Sequence, residues 1–199
     1  MADSSIKVEL RPFTAADIDQ LIAWVPSADF LLQFAGPRFR YPLTREQLEG
    51  FLERSSGVEP LHMPFAAIDA ATRETIGHIQ LVSIDRPNRS VTIGRVLVGP
   101  AELRGRGVGR QMVSAVLRIA FEELDMHRVD LGVFDFNTSA IACYERVGFR
   151  REGVLRDHRR AGERYWSLIL MSILEDEWRA GESSQEERKD VGMPERKGL

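Results

Sequence analysis

The chain has 199 residues, 43% of them hydrophobic, a net charge of -3 and one cysteine, Cys143. That length suits one domain with a full apolar core. The acidic balance gives no general pull toward nucleic acid or anionic membrane, and one thiol excludes an intrachain disulfide or a cysteine metal cluster. No apolar run nears the ~20 residues that span a bilayer. Met1 to Ser5 lacks the basic and apolar parts of a signal peptide, so a cytoplasmic protein is expected.

Ile6 to Pro12 alternates apolar and polar residues, as a first strand does. Thr14 with Asp17 is a capping pattern for a helix carrying Ile18, Leu21, Ile22 and Val25, which Pro26 ends. Asp29 to Phe34 reads as a short helical turn before the break at Ala35-Gly-Pro37. Thr44 then caps a second helix, with Gln47 at the reciprocal capping-box position and Leu48, Phe51 and Leu52 on its apolar face. After a polar loop from Ser55 to Pro60, Met63–Asp69, Glu74–Ser83 and Ser90–Val98 form three strands joined by short turns, an antiparallel meander.

Beyond the third strand, Arg104-Gly-Arg-Gly-Val-Gly-Arg110 leads into an apolar stripe of Met112, Val116 and Ala120, flanked by Val113, Leu117, Phe121 and Leu124. A stripe that wide belongs to a helix packed on a sheet. Arg128 to Phe134 is the next strand, and Asn137 caps a helix that stops at Gly148. A hairpin of Phe149–His158 and Arg164–Leu174 turns at Ala161-Gly-Glu163. One domain over 1–179 is expected, with 180–199 a charged tail without structure.

Glycines at 105, 107 and 109 let backbone approach a ligand, and amides at a helix N-terminus make an anion site. The plain alternative is a turn that only packs. There is no Lys-Ser/Thr ending, so the turn is not a P-loop. The preceding strands are antiparallel, which argues against a dinucleotide-binding βαβ unit.

Arg104-Gly-Arg-Gly-Val-Gly109, at the start of its helix, resembles motif A of the GNAT N-acetyltransferases. Asn137-Thr-Ser-Ala-Ile-Ala-Cys-Tyr144-Glu-Arg-Val-Gly-Phe149 resembles their motif B, and Phe149 to Trp178 resembles the RimJ/RimL-like ribosomal-protein branch. The resemblance implies a mixed α/β GNAT fold: a largely antiparallel seven-stranded sheet, a V-shaped splay between two central strands and helices on both faces. Acetyl-CoA would be the co-substrate, without a metal. Pantetheine would pair with the backbone of Val96, Leu97 and Val98. Pyrophosphate would take amides of Arg104, Gly105, Arg106, Gly107, Val108, Gly109 and Arg110, with arginine side chains adding charge.

Asn137 and Tyr144, seven apart, share one helix face. The resemblance makes Tyr144 the acid that protonates the leaving thiolate, where a lone tyrosine would pack in the core. Asn137 serves as N-cap or as pantetheine ligand. The position where many relatives place a glutamate is Gly132, so the base is open among Asp130, Asp135, His78 and water. Adjacent helix residues point about 100° apart, which keeps Cys143 off the face of Tyr144. Partners implied are acetyl-CoA and an amine, either a protein N-terminus or a small molecule such as an aminoglycoside, polyamine or amino acid. A homodimer is admitted, and a non-catalytic acyl-CoA sensor is the other class.

Overall fold

Hydrogen bonding orders the strands β1-β2-β3-β4-β5-β7-β6 in one sheet. They are β1 (Val8–Pro12), β2 (His62–Asp69), β3 (Thr75–Asp85), β4 (Ser90–Val98), β5 (Arg128–Phe134), β6 (Arg150–Ala161) and β7 (Arg164–Leu174). This computed structural model describes residues 6–55, 57 and 60–190. Every neighbouring pair is antiparallel except β4 with β5. The expected α/β architecture, largely antiparallel with seven strands, is the one that forms.

Helices cover both faces. On one, α4 (Val108–Arg118) buries Val108, Met112, Val113, Val116 and Leu117, and α5 (Thr138–Val147) adds Ile141 and Tyr144. Truncating a fully buried leucine such as Leu117 would cost about 2–5 kcal/mol. Gln111 of α4 also completes the open edge of β1, accepting from Val8 N at 3.0 Å and donating to Ile6 O at 2.9 Å. On the other face α1 (Ile18–Ala23), α2 (Ala28–Ala35) and α3 (Arg45–Arg54) gather a second core around Leu21, Leu31, Phe39 and Phe51.

Three expectations need correction. Asp29 to Phe34 is not a lone turn but lies within the eight-residue helix α2, because Ser27 Oγ caps it from Phe30 N at 3.2 Å. Thr44 caps α3 as expected, but Gln47 does not reach back to it. Its side chain braces the preceding loop instead, bonding Arg40 N, Arg40 O and Pro42 O. Finally, α6 (Glu175–Asp190) carries the chain helically past residue 179, so the expected tail is helical as far as Asp190. Trp178, buried and stacked on Phe121 at 5.1 Å, anchors its first turn, and an Arg179–Glu175 pair supports the next. Residues 191–199 and part of the Ser55–Pro60 loop lie outside the described residues.

Candidate active site

The parallel pair is short. β4 and β5 are in register only from Ser90↔Arg128 to Ile93↔Leu131, after which the two strands part. From Gly94 onward, the edge of β4 that faces β5 has backbone without a strand partner, which is the V-shaped opening the resemblance implies. An amide-bearing ligand can pair with such an edge by strand addition.

Where β4 leaves β5 it also changes phase. Opposite Gln80 lies Gly94 and opposite His78 lies Leu97, so β4 holds one residue more than β3. That is a β-bulge, and Arg95 within it has φ of 50°. An extra residue moves every later side chain to the opposite face. Val91 and Ile93 accordingly join the α4-side core together with Val96 and Val98, while Leu97 packs with the α1–α3 side. The bulge turns Arg95 toward the α1–α3 side as well. Its guanidinium lies over Phe39 and Phe51, at 5.2 and 5.0 Å from the ring centroids.

A buried polar chain starts there. Arg95 Nη1 donates to Gln80 Oε1, since a guanidinium can only donate. Gln80 therefore turns its amide nitrogen to His78 Nε2, 2.7 Å away, which must accept. The proton of His78 then resides on Nδ1, which has no partner and is buried. Burial, with Arg95 nearby, lowers the pKa of His78 to about 3. Packed edge-on against Phe13 and Phe34, it is a neutral structural histidine, not a base.

The glycine turn sits at the end of β4. Gly105 and Gly107 have φ of 73° and 84°, a conformation in which side chains are strained. Gly107 is the N-cap of α4 and has no side chain to cap it. The first intrahelical bond is Gln111 N to Gly107 O at 3.0 Å, so the amides of Val108 and Gly109 precede the helix's own hydrogen-bond ladder. Arg104 is differently occupied than expected. Its Nε and Nη2 donate to the carbonyls of Val98 and Gly99 at 3.0 and 2.9 Å, tying the turn to the strand end.

In α5, Asn137 Oδ1 accepts from Ala140 N at 3.3 Å, the N-cap its position suggested. Tyr144 is buried against Phe149, with 5.9 Å between ring centroids, and burial raises its phenol pKa well above the usual value. A proton donor is what such a phenol remains at neutral pH. Cys143 is half-buried and its thiol pKa is likewise pushed up by burial. Asp130 accepts from Thr92 Oγ1 at 2.8 Å and lies 3.7 Å from Arg128, so its carboxylate is engaged within the sheet. Asp135 is exposed on the strand end.

A cavity of about 250 Å³ opens on the α1–α3 side of the splay. Gly94 and Arg95 of β4, Gly132 and Phe134 of β5, and Leu168 of β7 form its floor, with Phe34 of α2, Arg38 just beyond that helix, and His158 and Arg159 of β6 as walls. A side chain at Gly132 would meet Leu168 Cδ2 at 2.8 Å. Sequence reading missed Arg38, Arg95 and Arg159. A signal for Arg95 existed in the apolar phase, which runs Val91, Ile93 and then Val96, Val98. The other two become neighbours only through the fold.

The sheet thus combines one parted parallel pair, a bare glycine turn at a helix N-terminus and a cavity beside the parting. The family profile described as an acetyltransferase (GNAT) domain matches residues 7–150, and the chain belongs to that family. It is 33% identical over 112 residues to a prophage-derived uncharacterized N-acetyltransferase of Bacillus subtilis, a match over 56% of this chain and 58% of that one. To the spermidine N(1)-acetyltransferase of Vibrio cholerae it is 29% identical over 111 residues, 56% of this chain and 63% of the relative. The chain thus spans somewhat over half the length of these curated relatives. An aminoglycoside N(6')-acetyltransferase of Klebsiella pneumoniae is 26% identical over 78% of this chain and 80% of that one. The crystal structure of the V. cholerae spermidine enzyme with CoA and spermine superposes with a TM-score of 0.75 at 23% identity, covering 86% and 98% of the two chains. Among the described residues no helix is long and apolar enough to cross a membrane.

Proposed function

We propose that the protein is an N-acetyltransferase that moves acetyl from acetyl-CoA to a primary amine by direct attack in a ternary complex. The observation that carries this is the parting of β4 from β5 beyond Ile93, with the uncapped α4 N-terminus beside it. Backbone of Val96, Leu97 and Val98 pairs with pantetheine, and amides from Gly105 to Arg110 hold the pyrophosphate. Arg106 and Arg110 supply charge at that end, while Arg104 fixes the turn from within. Asn137 caps α5 and offers its remaining polar groups to pantetheine.

In the reaction, the neutral amine nitrogen attacks the thioester carbonyl carbon, and the oxyanion is stabilised by β4 amides. Collapse re-forms the carbonyl and breaks the C–S bond. Tyr144 gives its phenolic proton to the thiolate, and the ammonium proton of the adduct leaves to water. Among the described residues no carboxylate lines the cavity to act as base, and His78 is a buried acceptor at Nε2. Water is therefore the route by which the amine is deprotonated. Both the protein N-terminus and a small molecule are acceptors of the right chemistry, and the exposed rim at Arg38 and His158 leaves the cavity open to either.

Release of CoA over a panel of amines tests the reading. Turnover with at least one amine is expected, and Tyr144→Phe should lower kcat about 10- to 100-fold while acetyl-CoA affinity stays within about twofold. Tight acetyl-CoA binding with no turnover of any amine would make the protein an acyl-CoA sensor instead.

A further inference from the structure

The walls of the cavity carry charge of one sign. Arg38, Arg95 and Arg159 line it together with His158, and among the described residues no aspartate or glutamate does. Among the described residues none of these arginines has a carboxylate partner. Arg95 bonds Gln80, Arg159 Nη2 bonds His158 Nε2 at 3.2 Å, and the buried Nε of Arg95 has no partner at all. Some arginines elsewhere are paired, Arg11 with Asp17, Arg73 with Glu9, Arg89 with Asp125 and Arg128 with Glu152. What marks the cavity is convergence: three arginines line it, and among the described residues no carboxylate does.

Arg95 makes the case sharpest. A buried cation without an anion is costly unless something compensates it. Two aromatic rings and one amide oxygen offset part of that cost, and Arg38 adds to it, since desolvation and the Arg38 charge together lower the pKa of Arg95 to about 10. The strain of a positive φ is retained at the same residue. Nothing from the glycine turn lines this cavity, so the coenzyme phosphates bound at residues 104–110 are not the missing anion.

We propose, resting on the acetyltransferase reading, that the acceptor is a primary amine that itself carries an anionic group, a carboxylate or phosphate, held by Arg38, Arg95 and Arg159. Arginine forks suit both anions, which they bind bidentately. About 250 Å³ accommodates an amino-acid-sized molecule or the first residues of a chain. A polycationic amine meets like charge on three sides and is disfavoured there. The shared chemistry is thus an amine with a nearby anion, whether in a free small molecule or at an N-terminus followed by an acidic side chain.

Matched pairs test this with the full chain and saturating acetyl-CoA. O-phosphoethanolamine is compared with ethanolamine, an Asp-led tetrapeptide amide with its Lys-led counterpart, and spermidine serves as the polycation. The anionic member of at least one pair should have a kcat/KM about tenfold or more higher, the ratio one charge-assisted hydrogen bond produces. Which pair shows it tells the free molecule from the N-terminus. Arg38→Gln, on the exposed rim and away from the packed core, should narrow that ratio several-fold, and Arg159→Gln likewise. Spermidine used as well as or better than the anionic amines, or a ratio that both variants leave intact, overturns the proposal. If no amine turns over, the acetyltransferase reading falls, and equilibrium binding of O-phosphoethanolamine against ethanolamine decides the anion pocket separately. Preferential binding that Arg38→Gln weakens sustains the pocket, and equal binding of the two removes it.

Discussion

On the proposed reading, the two ends of the cleft recognise their ligands by opposite means. At the α4 N-terminus the groups on offer are backbone amides, and what the sequence contributes is the removal of side chains at 105, 107 and 109. In the acceptor cavity the groups on offer are side chains, drawn from beside α2, from β4 and from β6. One end depends on a conformation, the other on convergence. Changes at the first should act through φ and ψ, and changes at the second through charge and packing.

The largest expected effect lies at the conformational end. Gly107 has φ of 84° and open space where a side chain would stand, so Gly107→Val introduces no clash but a strained backbone. A β-branched residue escapes that strain by turning the peptide, which takes the amides of the turn out of line. Acetyl-CoA affinity should fall by about 100-fold or more, or about 2.7 kcal/mol, as calorimetric titration would show. The strain of about 1–2 kcal/mol would lower Tm by only several degrees in a domain of this size. Affinity retained within about threefold would detach the pyrophosphate from this turn.

A smaller effect belongs to the support of the acceptor end. Asp17 opens the α1 side, almost wholly buried, with Arg11 donating to both of its oxygens at 2.8 and 2.6 Å and Thr14 N donating at 2.9 Å. Desolvation opposes ionisation, but these bonds outweigh it and hold the carboxyl below its ordinary pKa. With a folded pKa under the unfolded value of about 3.9, its contribution is complete above that pH and is lost as pH falls through the folded value. Because Arg11 is about one-third exposed, Asp17→Asn should cost about 1–2 kcal/mol at neutral pH. Denaturant titrations should also show a shallower loss of stability in the variant as pH falls below about 4. The same acid dependence in both proteins would assign it to other carboxylates.

The same contrast explains what could be read in advance. β4 and β5 were bounded correctly from their β-branched runs, and the meander from its short turns, because strand and turn signals are local. The glycine turn and the Asn137 cap were legible for the same reason. Arg95 was not, although its bulge left a trace in the phase of Val91, Ile93, Val96 and Val98. A strand read at period two hides an inserted residue unless both partners are known. Arg38 and Arg159 are 121 positions apart, and only the sheet order, which places β7 and β6 after β5, brings them to one cavity. Gln47 misled for a related reason: the capping-box spacing was present, but the loop at Arg40 and Pro42 offered its side chain three bonds. The continuation of α6 past residue 179 rests on Trp178 docking against Phe121, a tertiary contact that charge composition does not reveal.

The smallest expected effect is at Cys143, and it separates direct attack from an acetyl-enzyme. A covalent route needs a thiolate that reaches the thioester. Burial pushes this thiol's pKa up, against the influence of Arg110 and Arg146, so the thiolate is scarce at neutral pH. On α5 its side chain points about 100° from that of Tyr144. It lies toward α4, where a Cβ placed on Gly109 would come within 3.9 Å of its sulfur. The thiol is therefore a packing group between two helices. Cys143→Ala should leave kcat within about twofold and lower stability by about 1 kcal/mol for the lost contacts. Intact-mass measurement after incubation with acetyl-CoA alone should show no added acetyl group on the protein. An acetylated protein that discharges to amine, together with a variant that no longer turns over, would replace the ternary complex with a two-step transfer.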